Sequence, residues 1–204
     1  MPAMEQNLRC ELVSWTRVCR LASKLARAIR AADFHPDIVV AIARGGYIPA
    51  RLLCDQLNLY NLTSLRITHY TGAEKSSQAR IVSPLGVDIE NKNVLLVDDV
   101  SDSGDTLQLA LQHINGLAPR ELRTAVLHHK QCASVVPDFF AQRVIRWRWI
   151  TYPWAVVEDI GGFIRHMQPV PITVEEATAR LQQEYRIKAS SQIIEDIFAQ
   201  LTAT

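Results

Sequence analysis

Apolar residues recur along this chain at two spacings, and the switching between them predicts most of its elements. Between residues 5 and 32, Leu8, Leu12, Trp15, Cys19, Ala22, Ala26 and Ile29 fall at helical spacing, with Arg17, Lys24 and Arg27 on the opposite face. His35-Pro36-Asp37 ends that pattern, and Ile38–Ala43 follows as a continuous apolar run of strand length. Ala50, Leu52, Leu53 and Leu57 then mark a helix, with Pro49 in its first turn, where proline is tolerated. Residues 62–68 read as a third strand. Residues 72–84 are rich in Ser, Gly, Lys and Gln and carry no period, so they read as a loop or a ragged hairpin. A short apolar run at 94–97 predicts a buried strand, and Leu107, Leu109, Ala110, Leu111 and Ile114 predict a helix stopped by Asn115-Gly116. Residues 123–128 supply a further strand. Strands alternating with helices predict an α/β protein with a mostly parallel sheet flanked by helices.

The pattern changes after residue 136. Residues 137–154 hold Phe139, Phe140, Trp147, Trp149, Tyr152 and Trp154, an aromatic density that usually marks core. Gln168-Pro169-Val170-Pro171 reads as a linker, and Thr173 with Glu176 three residues on is a capping-box signal for a helix to about Tyr185. Ser190 stands before a second stripe (Ile193, Ile194, Ile197, Phe198, Leu201) suited to core or to a subunit contact. The expected division is a main domain at 1–165, with a small hood at 137–165, and a C-terminal helical extension at 166–204.

Composition narrows the function classes. The 204 residues are 48% apolar and 21% charged, ordinary for a soluble globular chain with a sizeable core. A formal net charge of +1 makes no electrostatic case for nucleic acid or membrane. The four cysteines, Cys10, Cys19, Cys54 and Cys132, lie far apart and suggest neither zinc nor a redox pair. No apolar signal region or 18-residue apolar run occurs, so a cytoplasmic protein is expected. There is no internal repeat, G-x-G-x-x-G fingerprint or Walker A sequence, which argues against a dinucleotide-binding oxidoreductase.

The chemistry concentrates in residues 94–107, V-L-L-V-D-D-V-S-D-S-G-D-T-L. Asp98 and Asp99 stand where the apolar strand should end, and ligands of open α/β sheets bind outside the carboxyl ends of strands. Ser101, Ser103, Gly104, Asp105 and Thr106 then form a small-residue loop that runs into a helix N-terminus. Such a loop donates hydrogen bonds to phosphate, while paired carboxylates accept them from vicinal hydroxyls. The combination suits a sugar phosphate. Its bland alternative is a strand-to-helix turn whose acids only cap the helix.

Other strand ends add candidates. Arg44-Gly45-Gly46 follows the first apolar run: glycine admits close approach of backbone to a ligand, and a guanidinium suits phosphate oxygens. Taken alone, the same triplet reads as a plain turn; its placement after the first apolar strand and upstream of the acid pair favours the ligand reading. His128 and His129 precede Lys130; neighbouring strand residues face opposite ways, which disfavours a shared metal. Lys130 is placed to meet an exocyclic carbonyl.

Residues 94–107 resemble the phosphoribosyl pyrophosphate (PRPP) motif of type I phosphoribosyltransferases, an apolar strand, two acids and a Ser/Thr-Gly-x-Thr loop. The likeness extends over roughly residues 37–154 and leaves the tail outside. It implies the type I phosphoribosyltransferase fold, with Asp98 and Asp99 holding the ribose of PRPP and the water shell of Mg²⁺, the loop holding phosphate, and Arg44 and Gly45 holding pyrophosphate. In the family a flexible loop, often opening on Ser-Tyr, closes over the reaction; here His69 precedes Tyr70, and Lys75 and Arg80 either meet pyrophosphate on closure or are solvated. The segment W-I-T-Y-P-W at 149–154 resembles the W-I-x-x-P-W of bacterial xanthine-guanine phosphoribosyltransferases, which implies that Trp149 stacks on a purine and the Ile150 backbone meets its edge. Family members often follow the second Trp with an acid, whereas this chain has Ala155.

The resemblance also selects a substrate class. Many relatives have Thr, Ala or Tyr where Asp102 stands, while the 6-oxopurine enzymes have aspartate. A carboxylate there is a suitable acceptor for the proton that purine N7 must give up as N9 attacks the anomeric carbon. The expectation is an Mg²⁺-dependent transferase that joins guanine, xanthine or hypoxanthine to PRPP in purine salvage, as a homo-oligomer (dimer or tetramer) without nucleic-acid or membrane partners. The open alternatives are another base specificity, and a PRPP-binding regulator that lacks catalysis.

Overall fold

In chain order the elements are β1 (Cys10–Leu12), α1 (Trp15–Ala31), β2 (Ile38–Ala43), α2 (Tyr47–Leu57), β3 (Leu62–Tyr70), β4 (Gln78–Ser83), β5 (Asn93–Ser101), α3 (Asp105–Asn115), β6 (Glu121–Lys130), β7 (Phe139–Val144), β8 (Trp149–Thr151), α4 (Val156–His166), α5 (Val174–Tyr185) and α6 (Ser191–Thr202). The computed structural model describes residues 9–70 and 78–202. Its contacts group into two units, one of Thr16–Trp147 and one of Met1–Trp15 with Arg148–Thr204. The 165/166 division expected from the linker falls inside the second unit, at the last turn of α4.

The larger unit is an α/β sheet in the order β4-β3-β2-β5-β6-β7. Every neighbouring pair is parallel except β3–β4, which is antiparallel. All six residues of β2 are buried, as a strand covered on both faces requires. Ile38, Val40 and Ile42 share a core with Val94 and Leu96 of β5, Leu65 and Ile67 of β3, and Leu107, Ala110 and Ile114 of α3. The amphipathic α1 buries Val18, Leu21, Ala22, Leu25, Ala26 and Ile29. Of the aperiodic stretch, residues 78–83 form the hairpin strand β4, while Lys75 lies outside the described residues.

The first helix starts later than its periodicity suggested. Residues 10–12 are instead β1, paired parallel with Trp149–Thr151 of β8, and the Val13 N–H continues that ladder to the Thr151 carbonyl at 2.9 Å. Pairing across some 140 residues leaves no trace in local spacing, and Ser14 stands at the usual capping position before the helix.

In the second unit, α4, α5 and α6 close a core of Ile160, Phe163, Ile164, Leu181, Tyr185, Ile194 and Ile197 among others. The capping box forms as expected: Thr173 Oγ1 accepts from the Glu176 N–H at 3.1 Å, and the Glu176 carboxylate accepts from the Ile172 N–H at 3.2 Å. Sequence spacing did not indicate α4, which carries Gly161 and Gly162 in its interior. α6 lies close to Gly161: a β-carbon there would sit 3.4 Å from Ile197 Cγ2.

Candidate active site

The site residues of the larger unit lie at neighbouring carboxyl ends of β2, β5 and β6. β2 ends at Ala43, and the Ala43–Arg44 peptide that leads into the glycines is cis. A β-carbon on Gly45 would run into the Asp99 carboxylate, and one on Gly46 into the Val97 and Ile42 carbonyls. Both glycines are thus explained by close approach of this turn to β5. Arg44 is exposed beside them.

β5 runs on to Ser101, so Asp98 and Asp99 lie in its last residues rather than beyond it. The Asp99 N–H donates to Asp98 Oδ1 at 2.9 Å. Burial first, and the Asp99 charge second, hold the Asp98 acid well above the usual carboxylate range. A pair in that state gains from hydroxyl donors or a nearby cation. Among the described residues no group of three or more His, Cys, Asp or Glu side chains could hold a metal ion by itself. Two carboxylates fit an ion that arrives with phosphate and keeps its waters, as Mg²⁺ does.

The loop after β5 is shaped from outside. Gly104 has φ 99°, and a β-carbon there would collide with Ser134. Ser134 donates to the Ser103 carbonyl through its N–H at 2.7 Å and its hydroxyl at 3.0 Å. Ser101 is buried, its hydroxyl 3.4 Å from the Val135 carbonyl. Ser103 donates to Asp105 Oδ2 at 2.9 Å, which places Asp105 on the exposed start of α3. Thr106 Oγ1 lies 2.8 Å from His69 Nε2, at the end of β3. A cavity of about 280 Å³ opens here, lined by Gly45, His69, Asp98, Asp99, Asp102 and Thr106 among others. The side chain of Tyr70 lies outside the described residues.

Lys130, the last residue of β6, is 2% exposed. Its ammonium donates to Asp102 Oδ2 at 2.7 Å, so two candidates 28 residues apart meet as an ion pair. Trp147 completes the group: its indole N–H donates to Asp102 Oδ1 at 3.1 Å, and Lys130 Nζ stands 4.3 Å from its ring centroid. Sequence reasoning passed over Trp147 and Ser134. Only the aromatic density of 137–154 pointed toward the first, and nothing toward the second.

Trp149 and Ile150 belong to the other unit and are held within it. The Trp149 indole N–H donates to Asp159 Oδ2 at 2.9 Å, and the Thr151 hydroxyl donates to the same oxygen at 2.8 Å. Phe163 meets the Trp149 ring edge-on at 6.0 Å and stacks at 4.7 Å on Tyr185. Burial raises the Asp159 acid, against the two hydrogen bonds it accepts. Cys10 Sγ lies 3.3 Å from Thr151 Oγ1, and burial pushes that thiol up to about 11. Ile150 is buried opposite Glu11 in the β1–β8 ladder.

A parallel sheet whose adjacent strand ends present a glycine turn, an acid pair and a serine-threonine loop is the arrangement of a sugar-phosphate enzyme, and this chain belongs to the phosphoribosyltransferase family. The phosphoribosyl transferase domain matches residues 11–159, which leaves α5 and α6 beyond it. Among individual relatives, the xanthine-guanine phosphoribosyltransferase of Desulfotalea psychrophila is 29% identical over 150 residues, 74% of this chain and 89% of its own. The hypoxanthine-guanine phosphoribosyltransferase of Saccharomyces cerevisiae is 27% identical, covering 71% of this chain and 85% of its own. The crystal structure of a purine phosphoribosyltransferase from Pyrococcus horikoshii superposes with a TM-score of 0.64 at 33% identity, over 72% of this chain and 94% of that one. The chain is a transferase of the type I phosphoribosyltransferase fold. No helix among the described residues is long and apolar enough to cross a membrane.

Proposed function

We propose that the protein transfers the phosphoribosyl group of PRPP to N9 of a 6-oxopurine, with release of pyrophosphate, in purine salvage. The observation that carries this reading is the Asp102–Lys130 pair, 2.7 Å apart. It presents a donor beside an acceptor. A 6-oxopurine protonated at N7 offers the complement, an O6 acceptor beside an N–H donor. An ammonium has three N–H groups, so Lys130 can keep Asp102 and still reach O6. Adenine puts an amino donor where O6 would be and meets the ammonium donor to donor. The xanthine-guanine and hypoxanthine-guanine specificities of the relatives agree with this.

On this reading the loop 101–106 and the N-terminus of α3 hold the 5′-phosphate, and Asp98 and Asp99 accept from the ribose hydroxyls. Arg44 and the turn at Gly45 meet pyrophosphate. Asp98 and Asp99 are also the residues that would hold a Mg²⁺ ion, which would supply neutralisation of the leaving group's charge. The N9 lone pair forms the bond to C1′ as the C1′–oxygen bond to pyrophosphate breaks, and its electrons leave with pyrophosphate. Asp102 takes the N7 proton, which leaves a neutral imidazole in the product. The resemblance of residues 149–154 to W-I-x-x-P-W supports base-binding roles for the Trp149 ring and the Ile150 backbone as well.

Pyrophosphate release from PRPP and Mg²⁺ tests the proposal directly. Guanine, xanthine or hypoxanthine should support turnover, and adenine, uracil and orotate should not. Turnover only with one of the last three, or with none, contradicts it.

A further inference from the structure

Trp147 has no place in the chemistry just described, yet both of its polar contacts are with that chemistry. It lies on the irregular segment between β7 and β8, 47% exposed, and it is in neither of the hydrophobic clusters described above. Its N–H donates to Asp102 Oδ1 at 3.1 Å and its ring faces the Lys130 ammonium at 4.3 Å. One side chain therefore addresses the carboxylate and the ammonium of the pair at once. The burials differ in a way that matters: the Lys130 side chain is 3% exposed and that of Asp102 is 45% exposed. A strongly hydrated cation is buried with a carboxylate and an aromatic face against it, both of which are attractive to it.

We propose that Trp147 is the positioning residue of the Asp102–Lys130 pair, an inference that rests on the reading of that pair as the base-recognition group. A carboxylate held through one oxygen only can rotate about its Cβ–Cγ bond. Asp102 is held through both, Oδ2 by Lys130 and Oδ1 by Trp147, and so keeps one orientation when Lys130 turns toward O6. The ring face keeps the ammonium directed while its hydrogen bonds are exchanged. The indole thus does two separable things, and two substitutions separate them.

Trp147→Phe keeps a ring face and removes the N–H; Trp147→Leu removes both. With Trp147→Phe, kcat on hypoxanthine should fall about tenfold, the low end of the loss expected for one hydrogen bond to a charged group, with the base KM nearly unchanged. Trp147→Leu should lower kcat to the same extent and also raise the base KM, by about 2- to 30-fold for the lost cation–π contact. The PRPP KM should stay put in both. A merely structural Trp147 would move both KM values together with the melting temperature. In ligand-free protein, reductive methylation of Lys130, read by peptide mass, should run several-fold faster in Trp147→Leu than in the wild type. Unchanged methylation, or wild-type kcat in Trp147→Phe, overturns the role while leaving the function standing. A wild-type enzyme inert toward every 6-oxopurine overturns the function first, and the role with it.

Discussion

The two regions that carry the candidate residues are built in opposite ways. In the larger unit, Asp98, Asp99 and the loop at 101–106 lie in one short stretch of sequence with contacts among near neighbours, Asp98 bonding the next N–H and Ser103 bonding Asp105, and with Ser134 bracing the loop from outside. In the other unit, Trp149 is oriented by Asp159 on α4 and by Phe163, while Cys10 from β1 joins through Thr151. One site is a property of a strand end. The other is a property of packing among distant segments. The first therefore tolerates little change of residue type, because backbone and carboxylates leave no slack, while the second should respond to substitution through stability as much as through binding.

The largest effect that tests this contrast is Asp102→Asn, which keeps size and removes the capacity to take a proton. Its kcat should fall about 10²- to 10⁴-fold with little change in the PRPP KM. Asp105→Asn, on the exposed start of α3, should leave kcat nearly intact. Equal behaviour of the two variants in steady-state kinetics would remove Asp102 from the chemistry. Next in size, Lys130→Ala should raise the KM for 6-oxopurines about 10- to 150-fold, the worth of a charge-assisted hydrogen bond, and spare PRPP. Equal losses for both substrates would make Lys130 a general support of the strand end.

The aromatic region should divide its response. Trp149→Ala should raise the purine KM by about 5- to 150-fold, as lost stacking on a base implies. Asp159→Ala leaves the N–H of Trp149 and the hydroxyl of Thr151 without their acceptor, and should cost about 1–3 kcal/mol of stability. Differential scanning calorimetry reads that as a drop of about 2–4 °C per kcal/mol in a chain of this size. If Asp159→Ala leaves the melting temperature unchanged, the region is not held together as described.

The smallest effect has the opposite sign. Asp98 keeps its proton above the usual carboxylate range because it is buried beside Asp99, so ionising it costs the ligand-free fold stability. That cost is absent below the unfolded pKa of about 3.9 and grows as pH rises through the raised folded value. Asp98→Asn should therefore melt higher than the wild type at pH 8, by about 2–4 °C for each kcal/mol relieved, and match it below about pH 4. PRPP binding should be weakened in the same variant. A lower melting temperature at pH 8 would mean that Asp98 holds structure rather than ligand.

How much of this was legible follows the same contrast. Buried strands of a parallel sheet read as apolar runs, so β2 and the start of β5 stood out, and the motif after β5 is contiguous. The end of β6 also stood out, because a lysine closing a strand is a local pattern. What could not be read was held by long-range pairing. β1 is three residues whose partner is β8, and its residues happened to continue the helical spacing of α1. Trp147 looked like any member of an aromatic-rich stretch until the fold brought it to Asp102. Ser134 braces the loop at 101–106 through the backbone of Ser103, a role that any small donor could fill and no spacing announces. α4 carries Gly161 and Gly162 in its interior, and its seat against Ile197 of α6 is a contact between distant segments that local spacing does not register.

The central claim is that Asp102 and Lys130 read the O6–N7 edge of the base. It is tested most directly by the ratio of kcat/KM for hypoxanthine to that for adenine, which carries an amino donor in place of O6. The wild type should prefer hypoxanthine about 10²-fold or more, as loss of a hydrogen bond from the Lys130 ammonium and a donor-to-donor clash imply, and Lys130→Ala should cut that preference about tenfold or more. Equal use of the two bases by the wild type, or full discrimination retained by Lys130→Ala, would contradict the account.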